Sequence, residues 1–321
     1  MNAKLIITLL NLPRVSRKTI NSLIKIKVAS RISIDEIKDM FIQGKLVNSR
    51  LSIPTDQAIN EAIIKADEII YESDKNGINY ITILDDDFPN RLKYINDPPV
   101  IIYYKGNKKC ILDDKSIAII GTRTPTSHGE KISERLGYLF GKDNFVVVSG
   151  LAKGCDEFAH KGCVNIGGRS IAVLPCGLDT IYPARNKELA KLIIANNGCI
   201  VSEYPVGVKA FKSYFIDRDR IQSALSQAIL VIESAEKSGT MHTVGFCIAQ
   251  NKILACYKNI EKYSNNISTL GNIKLINDGR ALAISSADDI HNLKNQIINK
   301  LKCNNDNDIS ASILPIQTTL F

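Results

Sequence analysis

Apolar residues in the first 80 positions recur at helical spacing: Leu5, Leu9 and Leu12, then Ile20, Leu23 and Ile24, and later Ile59, Ile63, Ala66 and Ile70. Residues three and four apart share one side of a helix, and glycine and β-branched alternation are scarce here, so residues 1–80 are expected to form a small all-helical domain. Within it, LNLPRVSRKTINSLIK has the outline of the helix-hairpin-helix found in SAM-like domains, whose turn can offer backbone N–H groups to a phosphate. Ser16 stands where such hairpins prefer glycine, and packing is the stronger reading. Residues 81–105 read as an extended, proline-bearing connector whose IIYY adds a strand.

Beyond that point the rhythm changes. Short apolar runs SIAIIG (116–121), FVVVSG (145–150), SIAVLPCG (170–177), CIVSEY (199–204), AILVIES (228–234) and KILACYK (252–258) alternate with helical stretches. Strands that are apolar throughout, joined by crossover-length segments, belong to a parallel sheet covered on both faces. The expectation is an α/β fold: a doubly wound, Rossmann-like, mostly parallel sheet over residues 81–290, with the small helical domain before it. Residues 291–321 hold the end of an amphipathic helix (287–300) and a tail rich in Asn, Asp and Ser.

Composition narrows the class. With 45% hydrophobic and 23% charged residues and no apolar run approaching the roughly 18 residues of a membrane helix, the chain reads as globular, with no membrane partner. MNAKLIITLLNLPRV lacks a small-residue cleavage site and reads as a first helix, which points to a cytoplasmic protein. The eight cysteines are scattered without a C-x-x-C, as small buried hydrophobes kept reduced would be; neither a metal nor a cofactor is expected. Lys and Arg exceed Asp and Glu by one over residues 1–100 and by seven over 101–260, and balance them over 261–321. A central basic excess suits a polyanionic partner.

In a doubly wound sheet, ligands bind where strands end and helices begin, which singles out the strand ends. After the first parallel strand, GTRTPTSHGE places Gly121 in a tight turn beside Thr122, sets Arg123 over the sheet edge, and spaces Ser127 and Glu130 as a capping box. After the second, Ser149 and Gly150 form an elbow with Lys153 within reach of the same crevice. Asp156 and His160, four apart, would share a helix face, as an acid/base pair or, more simply, as a hydrogen bond steadying the elbow. No activated nucleophile stands beside them, so no catalytic turnover is expected. YPVGVKAFKSYFIDRDRIQSALS gathers Lys209, Lys212, Arg218 and Arg220 with Phe211, Tyr214 and Phe215, cations for phosphates and rings on which unpaired bases could stack. Ser238, Gly239, Thr240 and Thr243 open a further helix with hydroxyl and N–H donors, or merely cap it.

The order GTRTPTSHG, SGLAKGCDEFAH, SIAVLPCGLDTIYPARN, IVSEYP, FIDRDRI and ESAEKSGTMHT, led in by FPNRLKYINDPPVIIYYKGN, resembles the DNA-processing protein DprA/Smf family over about residues 80–290. That resemblance implies a Rossmann-like protein, usually dimeric, that binds and protects single-stranded DNA and helps load the RecA recombinase during natural transformation (competence). Residue by residue, the family's G-[ST]-R turn falls on Gly121, Thr122 and Arg123, its S-G-L-A-[RK]-G-x-D elbow on Ser149 through Asp156, and its F-P-x-R-N-R segment on Phe215 through Arg220. Two positions depart: Ile216 replaces proline and Asp219 replaces asparagine, placing a carboxylate between Arg218 and Arg220 that either offsets their charge or pairs with one of them. KILACYKNIEK lacks the P-G that commonly follows this strand, and no winged helix is expected after residue 300. Gln317, Leu320 and Phe321 fit the Q-x-x-L-F pattern, similar to peptides that bind the bacterial sliding clamp. The alternative to a DNA-binding protein is a nucleotide sensor or hydrolase. E-K-S-G-T-M-H-T lacks the glycine pair and glutamate of the P-G-G-x-G-T-x-x-E signature in related phosphoribohydrolases, which argues against hydrolysis.

Overall fold

The structure, a computed structural model, describes residues 2–312 apart from 260, 261 and 263–265, with side chains described up to Cys303. Four helices come first: α1 (Asn2–Asn11), α2 (Arg17–Ile26), α3 (Ile34–Val47) and α4 (Asp56–Lys75). Ser16, Ser33 and Thr55 cap the last three, each side-chain oxygen accepting the N–H three residues on. Ser16 thus serves as a helix cap with φ of −102°, which answers why glycine is not needed there.

A nine-stranded sheet follows, built from β1 (Asn79–Thr82), β2 (Ile101–Gly106), β3 (Ser116–Ile120), β4 (Val146–Ser149), β5 (Ser170–Leu174), β6 (Cys199–Ser202), β7 (Ala228–Val231), β8 (Ile253–Tyr257) and β9 (Leu282–Ile284), in the order β1-β2-β6-β5-β4-β3-β7-β8-β9. From β6 to β9 every neighbour is parallel; β1 and β2 extend the sheet antiparallel at one edge. The six apolar runs all form strands, and so does IIYY. β1 lies where the helical pattern was expected to run on, and the three-residue β9 is too short to register as a pattern.

The connecting helices are α5 (Asn90–Lys93), α6 (Lys109–Leu112), α7 (Ser127–Lys142), α8 (Cys155–Asn165), α9 (Lys187–Ala195), α10 (Lys212–Ala224), α11 (Thr240–Ala249), α12 (Leu270–Asn277) and α13 (Ala287–Ser312). Alternate residues of one strand feed two cores, as a period of two requires. Ile117 and Ile119 of β3 join Phe140, Ala159 and Leu293 beneath α7, α8 and α13. Ala118 and Ile120 join the opposite cluster, which is continuous with Leu5, Leu9 and Phe41 of the N-terminal helices. Helices and sheet therefore share one apolar interior. Seven of the cysteines are buried and Cys303 is exposed, all as free thiols.

Candidate nucleic-acid interface

The chain leaves β3 for β4 on one side while β7 occupies the other, which makes the β3/β7 boundary a topological switch point. A cleft of about 680 Å³ opens there, at the carboxyl ends of the strands. It is lined by Gly121, Thr122 and Arg123 after β3, by Lys212, Phe215 and Arg218 of α10, and by Ser238, Gly239, Thr240 and Thr243 where β7 runs into α11. Ten residues singled out from sequence meet in one place. A smaller adjoining recess brings in Gly150 and Lys153 with Arg123 and Phe215.

The cations of the rim are uncommitted. Arg123, Lys153 and Lys212 are exposed, and none forms a salt bridge among the described residues. Arg123 lies over the Phe215 ring, 5.2 Å from its centroid, and Phe215 meets Tyr182 edge-on at 5.4 Å. Phe211, 64% exposed, stands at the entrance beside Tyr214, which stacks on Tyr204 at 4.1 Å. Arg123, Lys153 and Lys212 thus share the edge with Phe215 and the exposed Phe211, the combination of cations and rings that suits phosphates and bases of an unpaired strand.

The floor has a different electrostatic character. Arg218 is buried, donates from Nη1 to Gln222 Oε1 at 2.6 Å, and lies 4.0 Å from Asp156 Oδ2 and 3.4 Å from Asp219 Oδ1. Burial raises the pKa of both acids, with the Arg218 charge opposing it; Asp219 is pushed up to about 6. One buried guanidinium between two carboxylates leaves little net charge, so the positive field belongs to the rim. Of the two ways Asp219 could act, the geometry gives pairing with Arg218; Arg220 faces elsewhere.

Several expectations are corrected. Thr126, not Ser127, caps α7: its Oγ1 accepts from Gly129 N at 3.0 Å and donates to the buried Glu233 at 2.6 Å, while Ser127 lies off the cleft lining. Ser149 is fully buried and donates to Ile119 O at 2.7 Å, which leaves it unavailable to a ligand. Gly121 is required by close approach, since a Cβ there would sit 2.5 Å from Cys155 Sγ. Gly150 gives its N–H to Asp156 at 3.1 Å, and a Cβ would overlap Arg218 Nη1, so the absence of a side chain lets that guanidinium cross the elbow. Asp156 and His160 do not bond to each other: His160 Nδ1 meets Ser170 Oγ at 2.7 Å, and burial followed by the Arg218 charge pulls its pKa down to about 3.

Arg220 leaves the site altogether. It forms a two-pronged pair with Glu203 at 2.7 and 3.0 Å and donates from Nε to Asp97 O at 2.6 Å. Arg17, at the hairpin turn of the helical domain, joins the same network through Asp97 and Asp217 at 2.6 and 2.9 Å. These contacts seam the helical domain to α10 and occupy Arg17 there. Tyr182, Gln222 and His242 also line the cleft and were not singled out. Tyr182 and His242 sit inside quoted motifs, but nothing in their spacing marks them. Gln317, Leu320 and Phe321 lie outside the described residues.

A doubly wound α/β sheet with a cation-rimmed, ring-lined cleft at its switch point defines a Rossmann-like class of protein. The model of the DNA recombination-mediator protein A family matches residues 79–295, and the chain belongs to that family. It is 38% identical over 192 residues to protein Smf of Synechocystis sp., a match covering 58% of this chain and 47% of that one; the chain spans about half the length of that relative. To the DNA processing protein DprA of Bacillus subtilis it is 35% identical over 218 residues, 67% of this chain and 71% of the relative. Among solved structures, DprA of Streptococcus pneumoniae superposes with a TM-score of 0.73 at 26% identity, covering 90% of this chain and 96% of that one. DNA processing protein A of Helicobacter pylori, described for its single-stranded DNA binding mode, does so at 0.60 and 30% identity over 70% and 98%. No described helix is long and apolar enough to cross a membrane.

Proposed function

We propose that the chain holds single-stranded DNA along the carboxyl edge of its sheet and acts, without catalytic turnover, as a recombination mediator that passes the strand to the RecA recombinase. The observation that carries this reading is the rim itself. Arg123 and Lys153 come from different strand ends, share one recess with Phe215, and form no salt bridge among the described residues. Three free cations and a row of rings suit a flexible strand whose bases are turned outward, whereas a duplex hides its base faces. The family supplies the recombinational context, and the strand-binding description of the Helicobacter pylori structure supports the same substrate.

In this reading Arg123, Lys153 and Lys212 meet phosphates, Phe215 and Phe211 receive bases, and Thr122, Ser238 and Thr240 offer hydroxyls. Gly121, Ser149, Gly150, Asp156, Arg218 and Thr243 shape the floor. The protein works as a cytoplasmic homodimer, and its last five residues bind the sliding clamp. The test is fluorescence polarisation with a labelled oligothymidylate and with a duplex of equal length. Arg123→Glu combined with Lys153→Glu should weaken single-strand binding by at least about 100-fold, since each reversal replaces a favourable phosphate contact with a repulsive one. Unchanged binding, or a preference for nucleoside monophosphates over the strand, overturns the reading.

A further inference from the structure

A second basic pocket lies at the opposite edge of the sheet. Its volume is about 460 Å³, and it opens where Asp114 precedes β3, Gln227 precedes β7 and Lys252 precedes β8, with α5 and α13 as its walls. Arg91, Lys252 and Lys300 project into it, against Asp114 as the single acid among its lining residues. The neighbouring Asp113 is occupied by Arg169 at 2.7 Å.

Those cations are only partly satisfied. The Arg91 side chain is only 5% exposed; it pairs with Asp114 and donates to Ile111 O at 2.5 Å, while its Nε has no hydrogen-bond partner among the described residues. Among the described residues Lys252 has only a long hydrogen bond of 3.5 Å, to Ala224 O at the carboxyl end of α10, and Lys300 donates to Asn251 O at 2.5 Å. Burial, followed by repulsion from Arg91 and Lys300, pulls the Lys252 ammonium down to about 8. Three like charges held around a half-buried space with one counter-charge cost stability, and an anion placed among them would relieve that cost. Tyr94, 77% exposed, stands at the mouth, and Gln227 and Gln250 also line the pocket, the Gln250 amide being held by Ser223 and by Arg220 O.

We propose that this pocket binds a small anion carrying a diphosphate group, either free pyrophosphate or the diphosphate of a nucleotide. A diphosphate spans several cations at once, where a carboxylate would meet only one. The site lies at the amino ends of the strands and shares no residue with the switch-point cleft, so it stands or falls independently of the DNA reading.

The test is isothermal titration calorimetry on the full chain at low salt with pyrophosphate, ADP and an oligodeoxynucleotide bearing a 5′-hydroxyl. Pyrophosphate should bind with one-to-one stoichiometry. Lys300→Gln and Lys252→Met should each weaken it by about 10-fold, the loss of one charge-assisted contact. The cleft variant with Arg123→Glu and Lys153→Glu should retain it. Tighter binding of ADP than of pyrophosphate assigns the source to a nucleotide held on Tyr94, and equal binding assigns it to the inorganic anion. Lys300 is only half-buried, so Lys300→Gln should melt as the parent does and keeps the test clear of misfolding. No binding by the parent chain, binding indifferent to Lys300→Gln, or binding lost only in the cleft variant overturns the proposal. So does an effect of Lys300→Gln confined to the oligonucleotide, which would make the pocket a path for a DNA backbone.

Discussion

The cleft rim and the seam beneath α10 are both built on basic side chains and put them to opposite uses. At the rim, Arg123 and Lys153 face solvent with no acid within salt-bridge reach among the described residues, so their charge projects outward. At the seam, Arg17 and Arg220 are surrounded by Asp97, Glu203 and Asp217 at 2.6 to 3.7 Å, and nothing projects. Arg218 lies between the two in position and in character, buried under the cleft with two acids whose ionisation it only partly supports. What separates a binding cation from a structural one here is whether its charge is already answered. Along α10, Arg220 is fully answered, whereas Arg218 is answered in part beneath the cleft.

The comparison breaks most visibly if the seam is cut. Arg220→Gln should leave the nearly buried Glu203 with Arg17, 3.6 Å away, as its remaining cation and destabilise the fold by up to about 3 kcal/mol, read from denaturant unfolding. The DNA affinity of the molecules that remain folded should stay near the parent value. A variant that keeps its stability and loses DNA would move Arg220 back to the rim.

Phe215→Ala comes next. Loss of a stacking face should cost about 1–3 kcal/mol of single-strand affinity while leaving the salt dependence intact, because no phosphate contact is removed. A flattened salt dependence would mean that Phe215 acts by positioning Arg123 rather than by stacking.

The Asp219 carboxyl should produce a smaller, pH-dependent effect. Its folded pKa, about 6, lies above the ordinary carboxylate value, so the folded state holds the proton more tightly than the unfolded one. Stability therefore declines as pH rises from the ordinary value through about 6 and stays lower above it. The ionised form also adds a negative charge beside the cleft. Single-strand affinity should fall across the same window, and Asp219→Asn, the residue found at this position in the resembled family, should be flat there, bind about 3-fold more tightly at neutral pH and melt higher. Equal pH profiles for the two proteins would place the titrating group elsewhere. Smallest of all is removal of residues 317–321, which should leave DNA affinity unchanged and abolish capture by the sliding clamp in a pull-down.

Much of this was legible along the chain because the signals were long or repeated. Six apolar strands, the change of period near residue 80 and the glycine-marked strand ends follow from local pattern, and ten of the chosen residues do meet in one cleft. The parts that were not legible depend on distant partners. Nothing near Arg220 announces Glu203, and nothing near Ser149 announces the Ile119 carbonyl it would bond. Thr126 outcompeted its neighbour Ser127 as a cap because it also reaches Glu233, more than a hundred residues away in the chain. Asp156 and His160 have the spacing of a pair, yet Asp156 accepts from Gly150 N at its own elbow and His160 meets Ser170 at the start of β5. The edge strands β1 and β9 are too short, or too polar at one end, to stand out from the segments that flank them.

The most direct measurement is the slope of log binding constant against log salt concentration for a short unpaired oligonucleotide, taken on the parent chain and on Arg123→Ala with Lys153→Ala. With both rim cations on phosphates, the slope should become shallower by about 1.4, since roughly 0.7 of a counterion is released per phosphate neutralised on a single strand. An identical slope in the two proteins would show that neither side chain touches the backbone, and would contradict the account at its centre.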